Sequence, residues 1–250
     1  MRSILLLLFI NLPAFCVAQR TISASSGWQR IQLNKSDLPE AIADTMTTTN
    51  PVSATTSAAP QLAAFIEPFT SNRNNWLVGQ RSGYQFEIAN GGYTIRKQNV
   101  SRTTPALCYV AVPNSLNLNK AESFSISVDM ISSPGELIDA GLAIGVRDIE
   151  NYSQFRVSNQ VIIIKMLANG TTFASYMPGT PIQLNGLLST GRNALMIEKR
   201  AEKLHFYLNG REVPTSPYDF RNFRGNGIGF VTASPTVTFQ NLKVNAIFAL

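Results

Sequence analysis

From about residue 65 to the C terminus, the sequence alternates between apolar and polar side chains and shows no sustained helical period. In the segment 123–131, every second residue from Phe124 to Met130 is large and apolar, and the residues between them are serine or aspartate. The segment 203–209 repeats this pattern. A period of two places one face of a strand on a core and the other toward solvent. The sequence therefore predicts an all-β fold of two antiparallel sheets packed as a sandwich.

Strand-like segments recur at short intervals, separated by Gly, Asn, Pro and Ser. They cover residues 84–89, 92–97, 107–112, 123–131, 138–146, 152–158, 161–167, 171–176, 193–199, 203–209, 227–232 and 237–244. This is too many strands for a small immunoglobulin-type sandwich and favours a larger sandwich of the jelly-roll kind. The dipeptide Asn209-Gly210 between two of the segments predicts a tight hairpin turn.

Residues 1–18 have the layout of a secretory signal peptide, with a positive charge at Arg2, an apolar run and a small residue, Ala18, before the expected cut. The run is shorter than the roughly 20 residues that span a bilayer, and Asn11 and Pro13 interrupt it. An uncleaved anchor helix is the alternative. We expect export to the periplasm, the outer surface or the medium, with no transmembrane segment after cleavage.

The two cysteines bear on membrane anchoring and on disulfide formation. A lipid anchor on Cys16 competes with simple cleavage, although Phe15 stands where bacterial lipoprotein signals have a small residue. After cleavage Cys108 is the one remaining cysteine, so the exported chain has no internal disulfide and depends on its core for stability. Because Cys108 lies in an apolar strand-like segment, the sequence predicts a buried thiol rather than a nucleophile.

The mature chain divides by composition into three parts. Residues 19–44 form a short segment of unknown role, with one strand-like and one helix-like stretch. Residues 45–63 are rich in Thr, Ser, Ala and Pro and are interpreted as a flexible linker, because such a segment has too little apolar surface to offset its ordering entropy. Residues 64–250 form the sandwich domain.

The charge balance argues against nucleic acid as a partner. The chain has 21 Lys and Arg against 15 Asp and Glu, a formal net charge of +6. The basic residues are scattered, whereas a nucleic-acid-binding domain clusters them along one face. We expect a glycan or a surface protein as the partner instead.

Four segments resemble strands of the concanavalin A-like lectin and glucanase superfamily, and they occur in the same order along the chain. They are residues 151–157, 193–210, 225–230 and 237–244, preceded by an opening strand with Trp76. The resemblance covers nearly all of residues 65–245 and is strongest to laminin G-like and keto-disaccharide-hydrolase-like domains of exported Bacteroidetes proteins. It implies two stacked antiparallel sheets, often with glycan binding on the concave face. Lectins, hydrolases and inert modules share this fold, so the fold does not determine the function.

No catalytic residue is expected. Glucanases of the superfamily carry two acids on one strand in a Glu-x-Asp-x-x-Glu pattern, which this chain lacks. Asp148 and Glu150 have the right alternation but fall in a predicted turn. His205 is the one histidine, too few for a zinc site of several imidazoles. No acids cluster to support a cofactor; a calcium site, as some relatives have, is the alternative left open.

Carbohydrates bind where exposed aromatic rings lie beside amides and charged groups. With Phe155 facing the core, Tyr152, Gln154 and Arg156 share the opposite face of their strand. By the same alternation His205 and Tyr207 face away from the core in the segment 203–209. We predict that these two strips lie on one sheet face and together form the ligand-binding site. A weaker candidate is the loop that contains Tyr218, Phe220, Arg221, Phe223 and Arg224.

The sequence thus favours an exported, non-catalytic module that recognises a carbohydrate or a cell-surface partner. One alternative is a glycoside-active hydrolase of the keto-disaccharide-hydrolase-like group. A second is a structural or protein-interaction module, for which an exposed tyrosine and arginine face would serve equally well.

Overall fold

A computed structural model describes residues 60–101, 103–133, 135–184 and 186–249. The predicted signal peptide, Cys16, the segment 19–44 and residues 45–59 of the predicted linker lie outside the described residues. The expectations of cleavage, export and lipid anchoring therefore stay predictions.

Seventeen β-strands make up the described part of the chain. They are β1 (Gln61–Glu67), β2 (Gly79–Arg81), β3 (Tyr84–Ala89), β4 (Gly92–Lys97), β5 (Ala106–Ala111), β6 (Ser123–Ser132), β7 (Asp139–Asp148), β8 (Asn151–Ser158), β9 (Val161–Ala168), β10 (Thr171–Thr172), β11 (Ile182–Gln183), β12 (Arg192–Arg200), β13 (Lys203–Leu208), β14 (Arg211–Glu212), β15 (Tyr218–Asp219), β16 (Gly227–Thr232) and β17 (Thr236–Phe248). A short 3-10 turn, Asn114–Leu116, is the helical segment among the described residues.

The strands form two antiparallel sheets. The ten-stranded sheet has the order β14-β13-β12-β6-β17-β4-β3-β2, with β1 also paired to β17 and β15 to β13. The seven-stranded sheet has the order β10-β9-β8-β7-β16-β5, with β11 also paired to β9. The predicted two-sheet sandwich is confirmed. The described residues contain no helix with the length and apolar character needed to cross a bilayer.

The alternating segments fold as their patterns predict. In β6 the four apolar residues from Phe124 to Met130 are at most 3% exposed, while the intervening residues are partly exposed. In β13, Leu204, Phe206 and Leu208 are buried and His205 is partly exposed. Each strand therefore contributes one apolar face to the space between the sheets, as a half-buried strand does.

Aromatic rings join the two sheets across the core. Phe230 of β16 stacks on Phe239 of β17, with ring centroids 3.9 Å apart and an interplanar angle of 7°. Phe155 of β8 meets Phe206 of β13 edge to face at 5.4 Å. Trp76 is buried against Phe230 as a core residue. Such pairs add about 0.5–1.5 kcal/mol each beyond the area that they bury.

The predicted hairpin turn at Asn209-Gly210 and the predicted burial of Cys108 are both confirmed. Asn209 and Gly210 have φ values of 51° and 76°, and Leu208 pairs with Arg211 across them. Two successive positive φ values define the type I′ turn that matches the twist of a hairpin. The Cys108 side chain is buried in β5, 2% exposed.

A buried carboxylate anchors the loop that follows β1. Glu67 is fully buried and accepts hydrogen bonds from the backbone N–H of Phe69 at 2.9 Å, from Asn74 Nδ2 at 2.5 Å and from Trp76 Nε1 at 3.0 Å. Three neutral donors thus satisfy a buried acid, as burial of a charge requires. The glutamate connects β1 to the aromatic core.

Two boundaries differ from the prediction. β1 begins at Gln61, so the last three residues of the predicted linker pair with β17 instead. The segment 171–176, predicted as a strand, is extended only at Thr171–Thr172. Beyond it the N–H of Tyr176 donates to the carbonyl of Phe173, which closes a turn. The Phe173 and Tyr176 rings of this turn pack against each other, with centroids 6.0 Å apart.

Candidate functional site

The two predicted strips lie on opposite sides of the molecule. β8, with Tyr152, Gln154 and Arg156, belongs to the seven-stranded sheet, and β13, with His205 and Tyr207, belongs to the ten-stranded sheet. The intervening Phe155 and Phe206 meet in the core. Their neighbours along each strand must therefore point outward in opposite directions. The prediction that the strips share one sheet face is wrong, and each strip has its own surroundings.

On the outer face of the seven-stranded sheet, Gln154 of β8 belongs to a row of residues that runs across neighbouring strands. Gln154 lies opposite Lys165 of β9 on one side and Ala143 of β7 on the other. Ala143 lies opposite Gly229 of β16, and Gly229 lies opposite Tyr109 of β5. Residues directly opposite each other in antiparallel strands have Cβ atoms about 4.5–5.5 Å apart. One row across the face therefore joins five strands.

Small residues occupy much of the middle of this face. Outward positions of β7 and β16 hold Gly141, Ala143, Gly227 and Gly229. A Cβ at Gly141 would lie 2.0 Å from the carbonyl oxygen of Phe155, and one at Gly229 would lie 1.9 Å from that of Cys108. The small residues let neighbouring strands approach closely, and Val231 of β16 is a larger residue at this face. All of these positions are buried.

A cavity of about 210 Å³ includes the β8 strip in its wall. Its lining comes from both sheets and from a loop: Arg81, Ser82, Tyr84, Phe86, Thr104, Pro105, Ala106, Leu107, Ile149, Tyr152, Gln154, Arg156, Lys165 and Val231. Three of the five residues predicted from the sequence, Tyr152, Gln154 and Arg156, thus converge on one cavity. His205 and Tyr207 do not line it.

Partial burial and one ion pair hold the β8 strip in place. Arg156 Nε lies 2.8 Å from Asp139 Oδ1, and the two side chains are 14% and 16% exposed. The atoms attract each other by charge but are not aligned as a hydrogen bond. Gln154 is 7% exposed. Burial raises the pKa of the Tyr152 hydroxyl, with Arg156 partly offsetting the effect, so this hydroxyl is a neutral donor and acceptor at physiological pH.

Two basic residues of the cavity were missed by sequence reasoning. Lys165 could have been found, because β8 and β9 are joined by the two-residue turn Asn159-Gln160, and that turn fixes the register that places Lys165 opposite Gln154. Arg81 carried no such signal. It lies at the end of β2 in the other sheet, and only the packing of the sheets brings it to the cavity.

The β13 strip is part of a charged network on the outer face of the ten-stranded sheet. His205 Nδ1 lies 2.7 Å from Glu212 Oε1. Arg200 Nη2 donates to the Tyr207 hydroxyl at 3.0 Å, and this hydroxyl donates to Glu198 at 3.4 Å. Partial burial, and then the negative charge of Glu212, raise the pKa of Tyr207. Each polar group of this strip already has a protein partner.

The acids weighed as a catalytic pair occupy the turn between β7 and β8, as predicted. Asp148 accepts hydrogen bonds from the Glu150 N–H at 2.9 Å, from Asn151 Nδ2 at 2.8 Å and from Arg147 Nε at 2.9 Å. Although burial opposes it, these bonds hold the pKa of Asp148 below its usual range. Asp148 therefore stabilises the turn as a carboxylate. Within the described residues, no three His, Cys, Asp or Glu side chains gather as a metal site would require.

The weaker loop candidate is largely committed to packing. Phe223 is 7% exposed and lies against Phe124, and Phe220 lies beneath the Lys199 ammonium at 4.4 Å. The guanidinium of Arg221 covers the Phe173 and Tyr176 rings at 5.1 and 4.5 Å. Burial raises the pKa of Tyr176 to about 12. The aromatic rings of this loop and the Arg221 guanidinium are therefore already in contact with other side chains of the protein.

Known structures with a similar arrangement are distant. A carbohydrate-binding module, CBM66, from Bacillus subtilis is 19% identical, with a TM-score of 0.47 over 70% of this chain and 99% of that one. A putative glycosyl hydrolase from Parabacteroides distasonis is 14% identical, with a TM-score of 0.39 over 68% and 87%. Sheep galectin-11 is 11% identical, with a TM-score of 0.38 over 57% and 100%.

No protein-family model and no curated protein sequence matches this chain. At the identities and TM-scores of the similar structures, none of them assigns a ligand or an activity to it. What can be said of its site therefore comes from its own residues.

Proposed function

We propose that this protein is an exported, non-catalytic module that binds a carbohydrate at the cavity lined by Tyr152, Gln154 and Arg156 of the seven-stranded sheet. One observation supports it above all: three outward side chains of a single strand, an aromatic ring, an amide and a guanidinium, line the same cavity. A concanavalin A-like fold of the laminin G-like kind is part of this proposal, on the sequence resemblance given above.

The chemistry of the three groups suits a sugar. A tyrosine ring offers an apolar face to the C–H side of a pyranose and a hydroxyl at its edge. The Gln154 amide can both donate and accept, and the guanidinium of Arg156 donates to hydroxyl oxygens. Partial burial restrains these side chains before a ligand arrives, which lowers the entropic cost of binding.

The size of the cavity favours a small unit. Its volume of about 210 Å³ is below the roughly 300–1,000 Å³ of sites for drug-sized molecules. A single sugar residue or a chain end fits this volume better than the middle of a long polysaccharide. A large protein partner would need a broader contact area than the cavity offers, on the order of 800 Å² from each partner.

A glycan array followed by isothermal titration calorimetry tests the proposal. We expect saturable binding of at least one glycan, and at least about tenfold weaker binding by Tyr152→Ala, the loss typical of a central aromatic contact. Tyr207→Ala is the matched control, because it removes the same ring from the opposite side of the sandwich. It should bind as the unaltered protein does.

Three results would contradict the proposal. Binding that is lost with Tyr207→Ala and kept with Tyr152→Ala would move the site to the ten-stranded sheet. Absence of binding to every glycan would support the structural or protein-interaction alternative. Sugar release that disappears with Asp148→Asn would instead support the hydrolase alternative.

A further inference from the structure

The cavity wall contains three cations and no carboxylate. Arg81, Arg156 and Lys165 all line it, and no aspartate or glutamate does. Arg156 is paired with Asp139 at 2.8 Å. The positive charge of Arg156 is therefore balanced by a carboxylate that is not part of the cavity lining. Two uncompensated positive charges remain at one small cavity.

Arg81 and Lys165 have no acidic partner among the described residues. The salt bridges of the described chain involve other basic residues. Arg81 is exposed at the end of β2, and Lys165 is partly exposed on β9. On the ten-stranded sheet, by contrast, Glu198 pairs with Arg200 and Asp219 pairs with Lys203. The cavity is therefore an electropositive region that attracts anions.

The Lys165 side chain also packs against the backbone of a neighbouring loop. Gly179 passes over the side chain, so that a Cβ there would lie 3.2 Å from the Lys165 Cβ, Cγ and Cδ atoms. Lys165 also forms an isolated bridge with Pro178. The aliphatic stem thus packs under the loop, while the ammonium has no hydrogen-bond acceptor among the residues that the structure describes. This arrangement is typical of a long basic side chain that presents its charge at a surface.

We propose that the sugar recognised at this cavity carries an anionic group, a carboxylate or a sulfate, which Lys165 and Arg81 bind. The inference rests on the proposed function and narrows it to acidic glycans. Arg156, fixed by Asp139, together with Gln154 and Tyr152, contacts the sugar ring, and the two unpaired cations contact the charged substituent. Charge-assisted hydrogen bonds to such groups are stronger than neutral ones.

Isothermal titration calorimetry with matched probes tests the charge requirement. The probes are trigalacturonate, the same trimer with its carboxyls reduced to alcohols, a sulfated galactan trimer and inorganic sulfate. We expect one of the two acidic trimers to bind at least about tenfold more tightly than the reduced trimer, as expected for one lost charge-assisted contact. Which acidic trimer binds more tightly identifies the substituent. Added salt should weaken this binding and affect that of the reduced trimer far less.

Three variants locate the effect. Lys165→Gln and Arg81→Gln should each weaken binding of the acidic trimer about tenfold and leave the reduced trimer unaffected. Lys243→Gln is the control, because it removes one positive charge from an exposed position on the outer face of the ten-stranded sheet. It should change neither affinity.

The outcomes separate this inference from the proposed function. Equal affinity for acidic and reduced trimers, lost in Tyr152→Ala, would overturn the charge requirement and leave sugar binding intact. Acidic trimers that bind no more tightly than inorganic sulfate would show ion binding alone and overturn the inference. Absence of binding by any probe, together with an empty glycan array, would overturn both.

Discussion

The outer faces of the two sheets carry similar side chains and use them in opposite ways. On the ten-stranded sheet, His205 and Tyr207 bond to Glu212, Glu198 and Arg200. At the cavity beside the seven-stranded sheet, Lys165 of β9 and Arg81, which comes from β2 of the other sheet, have no acidic partner in the described chain. Alternating aromatic and basic residues therefore do not make a site by themselves. What matters is whether neighbouring strands satisfy them.

The difference originates in the strands beside each strip. β12 and β14 flank β13 and supply Glu198, Arg200 and Glu212. β7 lies next to β8, on the side toward the middle of the sheet. Its residues on the outer face beside the β8 strip are Gly141 and Ala143. The β13 strip thus has charged neighbours on both sides, while the β7 residues opposite Gln154 and Arg156 are small.

The largest expected effect concerns the small residues in the middle of the seven-stranded sheet. Gly229→Val should destabilise the protein by at least about 3 kcal/mol or prevent folding, because its Cβ would meet the Cys108 carbonyl at 1.9 Å. Ser125→Val is the matched control at an outward position of a central strand in the other sheet. It should change the free energy of unfolding by about 0.5 kcal/mol or less. Urea denaturation measures both, and similar values would show that the two faces have equal tolerance.

A smaller effect distinguishes the ion pairs of the two faces. Asp139→Asn should cost about 2 kcal/mol, because it leaves Arg156 partly buried without its counter-charge. Glu198→Gln breaks a pair whose Arg200 side chain is 54% exposed, and it should cost less than about 1 kcal/mol. The same urea titrations compare them. A larger loss for Glu198→Gln would mean that the network of the ten-stranded sheet is the structural one.

The smallest effect is a dependence on pH. Although partial burial opposes it, hydrogen bonds from Ser216 and His205 hold the pKa of Glu212 below its ordinary value of 4.5. The unfolded chain takes up this proton first, so the stabilisation is present above about pH 4.5 and is lost as the pH falls through the lowered value. Because Glu212 is about a third exposed, we expect less than about 1 kcal/mol.

Unfolding midpoints measured across this acidic range check the prediction. Glu212→Gln should flatten the acid limb slightly, whereas Glu87→Gln, at an exposed position of the same sheet, should leave it unchanged. An identical acid limb in Glu212→Gln would show that the His205–Glu212 pair contributes nothing to stability.

Much of the fold and half of the site could be predicted from local sequence. The alternation in β6 and β13, the type I′ turn at Asn209-Gly210 and the outward direction of the β8 strip all depend on contacts within a strand or a hairpin. The same is true of Lys165, whose place opposite Gln154 follows from the length of the turn between β8 and β9.

The sequence by itself determined which side of each strand faces the core, because the side-chain period of a strand is a local property of its backbone. Only the tertiary structure decided which sheet each strand joins, and with it the separation of the β8 and β13 strips and the arrival of Arg81 at the cavity. Strand order depends on pairing between segments far apart in the chain, as between β5 and β16 or β1 and β17. Those pairings depend on the packing of the whole core, to which many weak contacts contribute. No single segment of the sequence therefore specifies the strand order.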